Sequence, residues 1–354
     1  MFQEHPDRLS ISMHGNNHVH QEFGPLDTHP LQKQKEDIRQ GLARMERFNQ
    51  LTNIPYDAIM VFPHSISPEA TFAELKRYNF LATVNSLSVP SDAIVPSDPE
   101  FALRTANLNF KKFLSLRRYS AETDIPTTQL AIDAFLGNPM LFYAHESFFA
   151  SGISAFNKTA NTVNQLEPST NWRSLGDIAQ HLYLEKRRDD GNFDIRTYSS
   201  AIHLSNSHKR DAVFFVDKEE DFTLPLKVLV DRQSYPFERI GTHLHLELPI
   251  KGGMSRQIEI KYGNELRLAA VDIAKNSHKI NAIRLLSDFR DNEVSNTTIG
   301  RWFIHSYAYH NSDWNRAIVI LAIFLILPAG ALYVRRNRKG HAMPPVTRTS
   351  RQNN

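Results

Sequence analysis

Three histidines and a carboxylate fall within the twelve residues Ile11–Glu22, ISMHGNNHVHQE, directly after a short apolar run. His14 and His18 are four apart, so a helical turn after Met13 would set both imidazoles on one face, a ready pair of ligands for a divalent metal such as zinc. His20 and Glu22 lie just beyond and suit a supporting or substrate-facing role. The plain alternative is a solvated polar loop. Further along, the apolar runs DAIMVFP, Phe80–Asn85 and PMLFYAH each end on a polar group, at His64, Asn85 and His145 followed by Glu146.

Positioning such groups requires strands that deliver them to one place. Arg8–Met13, Asp57–Pro63, Phe80–Asn85 and Pro139–His145 read as buried strands. Between them, Gln32–Gln50 carries Ile38, Leu42, Met45 and Phe48 at helical steps, and Ser67–Tyr78 opens with Ser67 as N-cap and Pro68 at the first helical position. Alternating strands and helices predict an α/β layer with parallel strands, whose chemistry sits at the strands' carboxyl ends. His14, His64, Asn85 and His145 all fall at that end.

From Phe193 the pattern changes to short alternating runs, Asp194–Leu204, Asp211–Val216, Leu224–Asp231, Ile240–Pro249 and Gln257–Tyr262, which predict a small antiparallel sandwich. His243 and His245 alternate on one strand face, as a metal pair or as solvent-facing residues. Tyr198 and Tyr235 suit stacking on sugar rings if exposed, and the sandwich otherwise serves as a spacer.

Ala317–Val334 is eighteen residues without a charge, flanked by Trp314 and followed by RRNRK, which predicts a membrane-spanning helix within 314–335. The basic excess places 336–354 in the cytoplasm and the bulk of the chain across the bilayer. Six Lys/Arg and no acid follow Val334, so of the 41 basic and 38 acidic residues the part before it carries a net charge of −3. That balance argues against a nucleic-acid partner. The chain has no cysteine, which excludes disulfides, a thiolate nucleophile and Cys-ligated zinc. The expected organisation is an α/β part at 1–190, the sandwich at 191–265, a helical juxtamembrane segment at 266–313, the membrane helix and the tail.

His14 and His18 after a strand, Val61–Phe62–Pro63 after the second, and a strand ending in His145 together resemble the polysaccharide deacetylase family of carbohydrate esterases, over roughly 1–187. The resemblance implies a partial (β/α) barrel, His14 and His18 as zinc ligands, His145 as general acid, and removal of N- or O-acetyl groups from a glycan. It also implies His20, Glu22, His64, Asn85 and Glu146 as substrate-facing or supporting groups. The family's H-[S/T]-x-x-H motif has Gly15 at its second position here, and the family's opening Thr-Phe-Asp-Asp-Gly motif, with its base aspartate, does not occur. The missing motif and a missing export segment would fall at the same place, so an N-terminally truncated, membrane-anchored deacetylase is expected. A catalytically inactive, membrane-tethered carbohydrate-binding or scaffold protein is the alternative.

Overall fold

Apolar runs of three to six residues are too short for helices and pair instead as strands. A computed structural model describes residues 2–16 and 22–263, with scattered positions between 268 and 300. Met1–Ile273 form one unit and Ala274–Asn354 a second, of which only isolated helical positions such as Leu285 and Leu286 are described. Among the described residues no helix is long and apolar enough to cross a membrane, and the run at 317–334 lies outside them.

The first half of the larger unit is mixed α/β. Strands β1 (Ile11–Met13), β2 (Tyr56–Met60) and β3 (Ala82–Asn85) are parallel neighbours, with Ile11 opposite Tyr56 and Ile59 opposite Ala82. The two-residue β4 (Ala106–Asn107) runs antiparallel along β5 (Ser115–Ser120), while β5 continues the parallel series from β3 to β6 (Leu141–Tyr143). The sheet curls into a half-barrel. Helix α1 (Leu31–Thr52) connects β1 to β2 and α2 (Glu69–Arg77) connects β2 to β3. Short α3 (Pro99–Leu103) precedes β4, α4 (Thr127–Leu136) joins β5 to β6, and α5 (Asn157–Leu166) and α6 (Leu175–Gln180) follow β6.

Strand alternation divides the core between the two sheet faces. Met60 joins Met13, Ile38, Leu42, Phe72, Leu75 and neighbouring aromatics on the side of α1 and α2. Ile59 joins Val84, Leu116, Leu141 and Ala179 on the other. A run of rings, Phe23 edge-on to Phe62 at 5.0 Å, Phe62 stacked on Phe72 at 6.2 Å and Phe72 edge-on to Phe113 at 6.1 Å, fills the first cluster. Each such ring contributes about 1.5–3 kcal/mol by burial. α1 lies close against β1 because Gly41 faces Met13; a Cβ there would fall 2.3 Å from the Met13 Cε. The expected Ser67 cap is displaced: α2 starts at Glu69, and Glu69 N donates to Asp92 Oδ1 at 2.8 Å. A carboxylate from a distant loop thus does what the local hydroxyl was expected to do, while Ser67 Oγ donates to Pro68 O.

Two antiparallel-rich sheets complete the unit. One is ordered β13-β14-β10-β8-β7 and the other β12-β11-β15-β9. They comprise β7 (Tyr183–Arg187), β8 (Phe193–Thr197), β9 (Ala201–Ser205), β10 (Ala212–Glu219), β11 (Leu226–Val230), β12 (Gln233–Tyr235), β13 (Glu238–Ile240), β14 (His243–Ile250) and β15 (Ser255–Tyr262). Their inward residues, among them Phe193, Phe214, Val216, Leu246, Ile258 and Ile260, form a separate core. The predicted single run Asp194–Leu204 is two strands in different sheets. Ser199 N donates to Thr197 Oγ1 at 3.2 Å and Ala201 N to Ser199 Oγ at 3.3 Å, a hydroxyl-stabilised corner that periodicity does not register. Ile240–Pro249 likewise divides at Gly241 into the hairpin β13–β14.

The two cores are joined through a buried ionic cluster. Lys76 of α2 donates to Glu220, to Asp221 Oδ1 at 3.1 Å and to Lys111 O at 3.1 Å. Lys218 of β10 donates to Glu220 Oε2 at 3.1 Å, as does the Tyr262 hydroxyl at 2.7 Å. Lys76, Lys218, Glu220 and Tyr262 are all buried.

Candidate functional site

The parallel strands deliver polar residues to their common carboxyl edge. After β1, the His14 imidazole is exposed, and its Nδ1 lies 2.7 Å from Val61 O. A carbonyl only accepts, so Nδ1 carries the proton and Nε2 bears the lone pair of the neutral ring. That is the tautomer in which a metal-ligating imidazole is held.

The chain then turns at Gly15, with φ +72°, where a Cβ would meet Glu22 Oε2 at 2.5 Å and Pro63 Cγ at 2.9 Å. The glycine that departs from the deacetylase motif is therefore demanded by the turn and by a carboxylate packed against it. Glu22 is buried and accepts from Asn16 N at 2.7 Å. Asn16 Nδ2 donates to Asp37 Oδ1 of α1 at 3.0 Å, and Arg44 donates to Asn16 O at 2.8 Å, so α1 fixes the start of this loop. His18 and His20 lie outside the described residues.

After β2, His64 and Ser65 both take φ +56°, two consecutive left-handed residues without glycine. Such backbone costs of order 1–3 kcal/mol per residue and persists only when its surroundings enforce it. The enforcement comes from β3. Buried Asn85 accepts from Phe62 N at 3.2 Å and donates to Thr83 Oγ1 at 3.0 Å, and Ser65 Oγ lies 3.1 Å from Ser86 Oγ. Asn85 thus positions the 62–65 turn, and His64 projects exposed from it.

At the other end of the parallel series, His145 follows β6. Its backbone N donates to Glu122 Oε1 at 2.5 Å and its Nδ1 lies 2.7 Å from the same oxygen. Glu122 stands just beyond β5, whose pairing with β6 brings the two together. The His145 backbone N–H holds the Glu122 carboxyl below its ordinary value; partial burial opposes that, and the bond from the ring adds to it. An ionised carboxylate on Nδ1 orients the imidazole and leaves Nε2 as the proton-carrying or proton-accepting atom. Tyr143 stands edge-on to the ring at 5.9 Å, with the Arg118 guanidinium 4.3 Å over the tyrosine face. Glu146 is exposed and opens the short helical turn that follows.

His14, the 62–65 turn and Asn85 are thus linked by hydrogen bonds at one part of the edge, and His145 with Glu122 forms a second group at another. Glu122 was not legible in the sequence, because only the β5–β6 pairing makes a glutamate 23 positions away the partner of His145. Among the described residues, three ligating groups come close enough to share a metal in the sandwich, at Asp217, His243 and His245, and not at this edge. The two histidines show as an alternating pair in the sequence, while Asp217 is identified only by the β10–β14 register. Comparison with known proteins assigns no family: no family model matches the chain, and no curated protein and no solved structure matches it.

Proposed function

We propose that the chain is a membrane-anchored, deacetylase-like hydrolase that removes acetyl groups from a glycan at the carboxyl edge of its parallel sheet. The observation that carries this reading is the Glu122–His145 pair, a carboxylate-held imidazole on an exposed strand end. In acyl hydrolysis, water adds to the acyl carbon and loses a proton to solvent, the C–N or C–O bond breaks to release the carboxylate, and the leaving nitrogen or oxygen must gain a proton. His145 Nε2 donates that proton, and Glu122 stabilises the imidazolium that precedes the transfer. The His14 tautomer fits one ligand of a divalent metal such as zinc, with His18 as the second implied by the resemblance; a metal held there would supply Lewis-acid chemistry at the β1 part of the edge, apart from His145. Glu22 braces the His14 loop, Asn85 the 62–65 turn, and His64 and Glu146 flank the edge for substrate. The apolar run 317–334 would tether the whole to a bilayer.

A second reading, a non-catalytic carbohydrate-binding protein on the same anchor, draws support from the absence of a three-ligand group among the described residues of this edge. Acetate release from chitin-type oligomers by the full chain with added zinc separates the two. The enzyme reading expects release that falls about 10²–10⁴-fold in His145→Ala and about 10–100-fold in Glu122→Gln. Oligomer binding without acetate release, or release undiminished in His145→Ala, would replace it with the binding reading or with another site.

A further inference from the structure

On the outer face of the sheet containing β10 and β14, Asp217 and His245 are directly opposed, and His243 lies two residues along β14, opposite Glu219. Directly opposed side chains on one face stand about 4.5–5.5 Å apart at Cβ, and diagonal ones remain in reach. Asp217 Oδ1 accordingly sits 3.0 Å from His243 Nδ1 and 3.2 Å from His245 Nδ1. The rings stack at 5.9 Å with 24° between their planes.

We propose that Asp217, His243 and His245 bind a divalent transition metal of the zinc class, with a coordination position left open at the mouth of the adjoining cleft. Bonds of about 2.0–2.2 Å to nitrogen and carboxylate oxygen set tetrahedral donor atoms about 3.3–3.5 Å apart; the two Asp217–histidine spacings are within a few tenths of an ångström of that, and all three donor atoms lie within 4.8 Å of one another. Two imidazoles and one carboxylate select zinc, nickel or copper over calcium or magnesium, which take oxygen ligands. Entry requires each Nδ1 to give its lone pair, with the ring proton carried on Nε2. Glu219 and Glu238, the cross-strand neighbours of His243 and His245, add negative charge, against Arg196 beside Asp217 and Lys112 bonded to Glu219 at 2.6 Å.

The three side chains are between a quarter and two-fifths exposed, which leaves the ion open on one side. That side meets a cleft of about 720 Å³ lined by Asp217, His245, Phe215, Tyr235, Phe237 and Glu238 among others. The site is independent of the histidines at the barrel edge.

Zinc and cobalt titration of the full chain tests the assignment, with His14→Ala, His243→Ala, His245→Ala and Asp217→Asn variants checked for folding by circular dichroism. The equivalent held by Asp217, His243 and His245 is expected to persist in His14→Ala, which removes any metal held at the barrel edge, with affinity at least about tenfold weaker in each of the other three variants. Asp217→Asn keeps the side-chain shape, so it reads the ligand role even if a histidine truncation disturbs the strand. Failure of the wild type to bind zinc up to about millimolar, or isotherms unchanged in His243→Ala, His245→Ala and Asp217→Asn, would overturn the proposal. So would loss of the bound equivalent in His14→Ala alone, which would assign the metal to the barrel edge.

Discussion

Replacing Glu220 by glutamine removes the charge that joins the two cores while keeping the side chain's shape. Lys76 would retain the Asp221 carboxylate and the Lys111 carbonyl, but Lys218 would keep only neutral acceptors, the Glu219 carbonyl at 3.2 Å and the new amide oxygen. Burial already holds the Lys218 amine below its ordinary 10.5, opposed by Glu220, and removing the glutamate leaves that burial unopposed at close range. Breaking a buried pair by deleting one partner costs about 3–5 kcal/mol. The chain limits the loss by deprotonating the lysine, which at pH 7 costs about 1.36 kcal/mol for each unit up to 10.5, or roughly 4.8 kcal/mol. The ceiling falls to roughly 2 kcal/mol at pH 9. Urea unfolding of Glu220→Gln followed by circular dichroism should therefore show a loss of about 3–5 kcal/mol at pH 7 that shrinks at pH 9. Adding Lys218→Met should recover most of it, since a buried charge pair replaced by apolar volume is often neutral. A loss below about 1 kcal/mol at pH 7, or no recovery in the double variant, would refute the view that this cluster is a mutually dependent charge group.

Three further outcomes follow from the same geometry. Gly15→Ser, which restores a residue type found at that position of the deacetylase motif, should destabilise the fold by at least about 2 kcal/mol, because a Cβ at φ +72° meets Glu22; a melting temperature unchanged from the wild type would contradict this. Burial and the neighbouring Glu220 push the Tyr262 hydroxyl well above 10, so its contribution to stability is fully present below pH 10 and is lost as pH rises beyond it. Alkaline unfolding should thus be shallower in Tyr262→Phe, and an identical pH slope above 10 would exclude the tyrosine as its source. Glu122 titrates below its ordinary 4.5, so its contribution is present above that pH and is lost as pH falls through the lower folded value. Acid denaturation curves of Glu122→Gln should accordingly be flatter below the ordinary 4.5 than those of the wild type, and an unchanged slope there would exclude Glu122 as a source of acid lability.

The sequence by itself determined what depends on neighbours a few residues apart. The helical spacing of Ile38 and Leu42 located α1 within two residues at each end, the apolar run at 57–63 overlapped β2 over 57–60, and the strict alternation of THLHLELP located β14 within one residue. Binary pattern follows from which face meets water, and that is a local property. The parallel order of β1, β2, β3, β5 and β6 places the residues after these strands at one edge, as βα alternation implies. What only the tertiary structure decided are the partners fixed by long-range pairing: Glu122 for His145, Asn85 for the 62–65 turn, Asp92 for the cap of α2, and Asp217 between two histidines of another strand. The division of Asp194–Leu204 between two sheets belongs with these, because a hydroxyl corner redirects the strand without interrupting its apolar character. Gly15 shows the same limit most plainly. In the sequence it is a mismatch to a motif, and in the fold it is the residue that the approach of Glu22 and Pro63 permits, since a steric constraint between distant segments leaves no trace in local periodicity.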